Sequence, residues 1–224
     1  MRTTLVLLVL LAVASLVGLA IYRARLQRLE RERFIRNYVF QASLFESFRQ
    51  KYPGLAEKDV FLVARALREY FLVYLRAGNQ VIGMPSRVVD DLWHEFILAT
   101  QSYARFCQGA FGRFLHHIPS TDKARSPAIR NGMAVTWRLA CLEENIRPRY
   151  ASRLPLLFAI DGKLQIADGY TYSLNEIVAR YRSQADSGSS TGCSATTGGD
   201  GDGCGHGCGG DSGSGGCGGG CGGD

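Results

Sequence analysis

The chain has 224 residues, and its charge and cysteine content argue against a nucleic-acid-binding protein and against a disulfide-stabilised one. Its formal net charge of +6 is uneven, because five aspartates and no lysine or arginine follow Arg182. The positive charge is concentrated near the N-terminus and forms no basic stripe with interleaved aromatic residues, which argues against a nucleic-acid partner. Only Cys107 and Cys141 lie outside the C-terminal tail. This number excludes a disulfide framework for the body and favours two buried thiols.

The N-terminal segment predicts a membrane anchor. Residues 5–22 carry no charge and approach the length of about 20 residues that a bilayer-spanning helix needs. A cleaved export signal is the alternative, with Ala12-Val13-Ala14 as its cleavage site, but the apolar run continues beyond it. We therefore assign residues 1–22 to a transmembrane anchor and 23–33 to a basic juxtamembrane helix. The positive-inside rule then predicts a single-pass protein with a cytoplasmic body, from the arginines Arg23, Arg25, Arg28, Arg31, Arg33 and Arg36.

The body, residues 34–183, has the apolar spacing of a mainly α-helical domain. Asp161-Gly162, between two short apolar runs, predicts one small β-hairpin, from Leu156 to Ile166. The fold class is therefore mainly α with one hairpin, preceded by a transmembrane helix and followed by a disordered tail. The predicted helices span about 26–50, 59–76, from Pro85-Ser86 through the following stretch, 127–144, and from a Ser173 cap to about 182.

Residues 88–119 hold three of the four histidines. On one continuous helix, a broad apolar face predicts that this stretch builds the core. The members of this face are Leu92, Trp93, Phe96, Ala99, Thr100, Tyr103, Phe106 and Cys107.

His94 points away from that face, and either Asp90 or Asp91, four and three residues earlier, can reach its imidazole. Gly109 and Gly112 can turn the chain so that His116 or His117 comes back toward His94. A site built from Asp90, His94 and His117 would suit zinc or iron with an open coordination position, so these three are the catalytic candidates. An ordinary surface helix would show the same Asp-His spacing, and the 22–23-residue separation matches no specific metal motif.

The glycine-rich tail, residues 184–224, cannot bury a core and predicts disorder. Two C-x3-C pairs, the first enclosing a histidine, offer thiolate and imidazole ligands for zinc or copper(I). The alternative is a redox-sensitive tether, since metal binding would have to overcome the ordering entropy of a glycine chain. The candidate metal ligands are Cys204, His206, Cys208, Cys217 and Cys221.

The run V-D-x-x-W-H, followed by T-x-x-Y-x-x-F-C, F-G and H-x-P, resembles the glycine-rich domain-containing protein-like family of plants and bacteria. The resemblance implies that the motif is one structural unit, and it implies no particular reaction. The matching positions are Val89, Asp90, Trp93, His94, Thr100, Tyr103, Phe106, Cys107, Phe111, Gly112, His117 and Pro119.

Three functions are compatible with these features. The first is a membrane-anchored helical module that binds or scaffolds a protein partner. The second is a metal-dependent enzyme using Asp90, His94 and His117, and the third is metal handling by the tail. The sequence indicates a membrane and a protein as partners, identifies no small-molecule substrate, and leaves open whether the protein is an enzyme.

Overall fold

A computed structural model describes residues 2–117 and 127–187, and this part of the chain is mainly α-helical. A 3-10 turn at Pro148–Tyr150 separates α6 from α7. Residues 188–224, most of the predicted disordered tail, lie outside the described residues. The helices are α1 Arg2–Asn37, α2 Ala42–Lys51, α3 Glu57–Ala77, α4 Arg87–Leu98, α5 Thr100–Phe111, α6 Pro127–Glu143, α7 Leu156–Lys163 and α8 Leu174–Ser187.

Helix α1 joins the predicted anchor and the juxtamembrane segment in one uninterrupted helix of 36 residues. Its segment Leu10–Asn37 is long and apolar enough to cross a membrane, and the most apolar window of that segment is not buried by the rest of the protein. An export signal near the N-terminus passes the same test of length and apolar composition. The helix ends at Asn37, earlier than the predicted end near residue 50, and α2 begins after four non-helical residues.

Helix α3 lies at the centre of the helical domain, with α1, α4, α6 and α7 packed on it. Phe71, which is fully buried, shows why α3 is central. Its ring lies 4.8 Å from that of Phe106 on α5 and 6.0 Å from that of Trp93 on α4, centroid to centroid. Tilted and edge-on aromatic contacts of this kind add to the free energy of burial.

Helices α3 and α5 both run antiparallel to the last turns of α1. Arg68 Nε donates to the Tyr38 carbonyl at 3.0 Å, whereas Arg76, two turns later in α3, lies 3.6 Å from Glu32. Along α5, a side chain at Gly109 would collide with the Phe34 ring, and one at Gly112 would meet Arg31. The C-terminal ends of α3 and α5 therefore lie on the side of the domain from which the apolar part of α1 extends.

The predicted β-hairpin is wrong: the described residues contain no β-strand, and Leu156–Lys163 is helix α7. A short apolar run does not by itself distinguish a buried strand from a buried helix. Tertiary contacts decide in favour of the helix. Glu144 accepts a hydrogen bond from the Leu156 N–H at the helix start, and Asp161 is buried and bonded to α4 instead of occupying a turn.

The predicted single helix through residues 88–107 is interrupted at Ala99, where ψ is 57° and the backbone leaves the helical region. Helix α5 then starts in a new direction and packs against α1. Most of the predicted face is buried, including Trp93, Phe96 and Tyr103. Thr100, which the continuous helix placed on that face, is exposed, because the interruption turns it toward solvent.

Candidate metal centre

The start of α4 places a carboxylate next to the positive end of a helix. Ser86 is the N-cap, and its hydroxyl accepts from the Val89 N–H at 3.2 Å. Asp161 accepts from the Arg87 N–H at 2.7 Å and from the Ser86 hydroxyl at 2.6 Å, so the first turn is firmly held. Asp90 lies in this turn, where the helix dipole favours a negative charge.

His94 lies one turn after Asp90, and its ring is fixed by the backbone. The Nδ1–H donates to the Asp90 carbonyl oxygen at 2.7 Å. Since a carbonyl oxygen only accepts, Nδ1 carries the proton and Nε2 keeps its lone pair in the neutral ring. A ring held in this way through its second nitrogen is the usual arrangement for a histidine that binds a metal ion. The His94 side chain is 46% exposed, so solvent and ions reach it.

His117 returns to α4 because the chain reverses after α5. Gly112 ends α5 in the left-handed conformation at φ 69°, which glycine adopts without steric cost. The Tyr103 hydroxyl then donates to the Leu115 carbonyl at 2.6 Å and accepts from Trp93 Nε1 at 3.2 Å. These bonds hold the loop against α4, and the His117 ring lies edge-on to Trp93 with centroids 4.6 Å apart.

Asp90, His94 and His117, the three candidates named from the sequence, therefore lie close together. One potential ligand atom from each lies within 4.8 Å of the other two. His117 Nε2 is 3.0 Å from Asp90 Oδ1, and the two imidazole centroids are 4.3 Å apart. For metal–ligand bonds of about 2.1 Å in a tetrahedral site, ligand atoms are roughly 3.4 Å apart, a separation that the 4.8 Å limit of this set includes.

His116 and Asp91, the sequence alternatives, do not belong to this set. His116 is exposed and packs on Phe114, with ring centroids 4.9 Å apart. Asp91 faces α2, where it lies 2.7 Å from Lys51 Nζ and accepts from the Tyr52 hydroxyl at 2.5 Å. Burial and the hydrogen bond to Asp91 raise the pKa of Tyr52 above its usual range. Asp91 thus ties α2 to α4 and leaves Asp90 to the histidines.

The thiols of the body are structural, and those of the tail lie outside the described residues. Cys107 and Cys141 are both free and buried. Burial raises the pKa of Cys141 to about 12 and also raises that of Cys107, so neither is a thiolate near neutral pH. The proposed tail ligands Cys204, His206, Cys208, Cys217 and Cys221 remain a prediction.

Sequence reasoning missed the two residues that position the centre. Tyr103 was assigned only to the core, and Asp161 to a turn. Helical periodicity placed Tyr103 on the same face as Trp93, but the bond from its hydroxyl to Leu115 depends on the course of the loop. No local signal connects Asp161 with the start of α4, which lies 74 residues away from it at Arg87.

The model of the UCP032817-like family matches residues 30–196 of this chain. No curated protein and no solved structure matches the chain significantly.

The resemblance to the glycine-rich domain-containing protein-like family was therefore wrong. Many of the positions that suggested it are buried packing positions, among them Val89, Tyr103, Phe106 and Phe111. Apolar residues at helical spacing recur wherever two helices pack into a core, so they are weak evidence of common descent.

Proposed function

This chain belongs to the UCP032817-like family, and we propose that it is a membrane-tethered metal-binding protein whose ion is held by Asp90, His94 and His117. The observation that carries this proposal is the convergence of the three side chains from α4 and from the loop after α5. Two imidazoles and one carboxylate are a ligand set that suits zinc or non-haem iron.

This ligand set leaves part of the coordination sphere of the ion open. Three protein ligands leave at least one position of a tetrahedral zinc ion free, and more on an octahedral iron. Asp90 and His117 are largely buried while His94 is partly exposed, so one side of the centre faces solvent. An open position reached from solvent is typical of a catalytic centre, where the ion activates water or polarises a substrate. A metal-dependent enzyme is therefore the form of this function that we favour.

Metal analysis of the purified full-length chain tests the proposal. We first replace the five tail ligands, through Cys→Ser and His206→Ala, and expect about one zinc or iron ion per chain to remain. Adding His94→Ala or His117→Ala should then weaken zinc binding at least about tenfold, because loss of a ligand exceeds the usual effect of losing a supporting contact.

His116→Ala is the matched control, since it removes the neighbouring, exposed histidine and should leave zinc binding unchanged. If substitution of the tail ligands alone removes the metal, the metal-binding site is in the tail. Equal zinc binding in all three histidine variants would contradict a centre at Asp90.

We also propose that α1 crosses a membrane and holds the domain on its cytoplasmic side. Six arginines follow the apolar segment, whereas only Arg2 precedes it, and this asymmetry supports a cytoplasmic body. The predicted protein-interaction role stays a prediction, compatible with such an anchor.

A topology reporter fused after Asp224 tests this orientation. A reporter that is active only in the cytoplasm should give signal, and one that is active only across the membrane should not. The reverse pattern would contradict the orientation, and release of the N-terminal segment from the mature chain would identify it as an export signal.

A further inference from the structure

A cleft of about 510 Å³ lies between the C-terminal end of α3 and the loop after α5. Its volume is within the range of about 300–1,000 Å³ that is usual for sites that bind small molecules. The walls are mainly aromatic and aliphatic, and Asn79, Gln80, Arg113 and His116 add polar groups. The lining residues that matter here are Tyr70, Tyr74, Val81, Ile82, Trp93 and Phe114.

The cleft lies at the end of the domain that faces the apolar part of α1. Both α3 and α5 run antiparallel to α1, so their C-terminal ends point toward the apolar part of α1. The turn after α3 and the loop after α5 therefore lie at that end of the domain. Gly112, the last residue before the loop, lies next to the Arg31 side chain, so this end of the domain is near Arg31 on α1. Arg31 comes nine residues after Tyr22, which is about 14 Å along a helix.

Arg113 and Phe114 continue from Gly112. The polar zone of a bilayer extends roughly 5–8 Å beyond its hydrocarbon core on each side, and an arginine side chain spans much of the remaining gap. The rim of the cleft therefore comes within reach of the headgroups.

Charge and exposed apolar surface coincide at this end. Phe114 is 47% exposed and Val81 is 48% exposed, so both present large apolar side chains beside the cleft. Arg113 donates to the Tyr74 hydroxyl at 3.2 Å, which holds its guanidinium at the rim. Exposed arginines of α1, including Arg23 and Arg25, come between this rim and the apolar segment. Cationic side chains beside apolar ones fit an anionic amphiphile.

We infer that this cleft binds the acyl chain of an anionic membrane lipid, with the headgroup held by Arg113 and by arginines of α1. The inference rests on the proposed membrane anchoring. Trp93 forms part of the cleft wall and also contacts His117, so an acyl chain that fills the cleft lies one aromatic ring away from the candidate metal centre. The lipid is then a candidate substrate or positioning ligand for that centre.

Photo-crosslinking of the full-length chain in lipid nanodiscs tests this inference. The probe is phosphatidylglycerol with a diazirine in its acyl chain, compared with phosphatidylcholine that carries the same group. We expect crosslinks by phosphatidylglycerol to peptides containing residues 78–82 and 113–115, in addition to α1, and fewer from phosphatidylcholine. Arg113→Gln should reduce the cleft crosslinks about fivefold, the effect of one cationic side chain near an anionic surface, and Phe114→Ser should also reduce them.

Two substitutions at the opposite end of α3 are matched controls. Phe61→Ser removes an aromatic ring that is 53% exposed, and Lys58→Gln removes an exposed charge. Both should leave cleft crosslinking unchanged, and a decrease equal to that of the cleft variants would overturn the inference. Crosslinks confined to α1 would also overturn it, as would equal yields from the two lipids.

The same samples separate this inference from the proposals on which it depends. A chain that does not co-elute with nanodiscs contradicts the anchoring and, with it, the lipid site. A chain that co-elutes and shows no cleft crosslinks contradicts the lipid site alone. Zinc content, measured on the same fractions, reports on the metal centre independently of both results.

Discussion

Tyr103 connects the core to the candidate metal centre through a single hydroxyl group. It is almost completely buried, accepts from Trp93 and donates to Leu115, two residues before His117. Burial raises the pKa of Tyr103 above its usual range, so the hydroxyl keeps the proton that it donates. The position of His117 thus depends on a hydrogen bond that is made in the interior of the domain.

Tyr103→Phe should therefore weaken zinc binding as well as stability. Loss of the hydroxyl leaves the Leu115 carbonyl and Trp93 Nε1 without this partner, at a cost of about 1–3 kcal/mol in the free energy of unfolding. Tyr172→Phe is the control, because the Tyr172 hydroxyl donates to the Pro85 carbonyl at 2.9 Å outside the loop. Denaturation should show a loss in both variants, and a zinc titration a loss only in Tyr103→Phe. Equal zinc affinities of the Tyr103→Phe and Tyr172→Phe variants would show that Tyr103 does not position the metal centre.

Glu69 gives the stability of the domain a pH dependence. Burial, together with the charge of Glu144, raises the pKa of Glu69 to about 7, although Arg65 opposes the shift. The fold therefore favours the protonated carboxyl. Because the folded-state pKa lies above the unfolded value, this contribution is fully present below about pH 4 and is lost as the pH rises through 7.

Glu69→Gln keeps a neutral side chain at every pH. Between pH 5 and pH 8, we expect the natural chain to lose about 1–3 kcal/mol of unfolding free energy relative to this variant. Urea denaturation at the two pH values measures the difference. Glu46→Gln, at an exposed position on α2, should give the same pH dependence of the unfolding free energy as the natural chain. If Glu69→Gln also shows that pH dependence, the raised pKa of Glu69 is contradicted.

At the scale of elements, α7 holds the start of α4. The Asp161 carboxylate accepts from Ser86, Arg87, Val88 and, at 2.9 Å, from the Tyr170 N–H. A buried acid with several donors at a helix N-terminus satisfies groups that the helix itself leaves without partners. The short helix α7 is thus needed for the first turn of α4, which carries Asp90.

Asp161→Asn should destabilise the domain by about 1–3 kcal/mol. The amide retains one acceptor oxygen and presents an NH₂ group to donors, so at least one buried N–H loses its partner. Asp168→Asn makes the same change at an exposed site and should alter the denaturation midpoint little. A midpoint for Asp161→Asn that equals this control would show that α4 does not depend on α7.

At the scale of the whole molecule, the end of α1 belongs both to the long N-terminal helix and to the folded domain. Ile35 is completely buried, and Arg36 and Arg76 both pair with Glu143 of α6. Because the helix is continuous, the domain has no flexible linker between the apolar segment and its core. The end of the domain that carries the cleft therefore keeps a fixed orientation to α1.

Two shortened chains test this integration. A chain that begins at Ala24 keeps every contact of Ile35 and Arg36 and should retain the unfolding free energy of the domain. A chain that begins at Tyr38 loses the buried Ile35 side chain, which alone costs about 2–5 kcal/mol, and leaves Glu143 with one cationic partner fewer. Equal denaturation midpoints would show that α1 is only a tether.

The sequence by itself determined the helical character of the domain and the apolar N-terminal helix, because periodicity and length are local properties. Ligand chemistry named Asp90, His94 and His117 as candidates, with Asp91 and His116 as alternatives. Only the tertiary structure decided three further matters. It made residues 156–163 a helix, since Asp161 and Glu144 form hydrogen bonds there. It interrupted the helix at Ala99, since α5 packs along α1. It also brought His117 to Asp90, since Tyr103 binds the returning loop, and contacts between residues so far apart in the chain leave no local pattern.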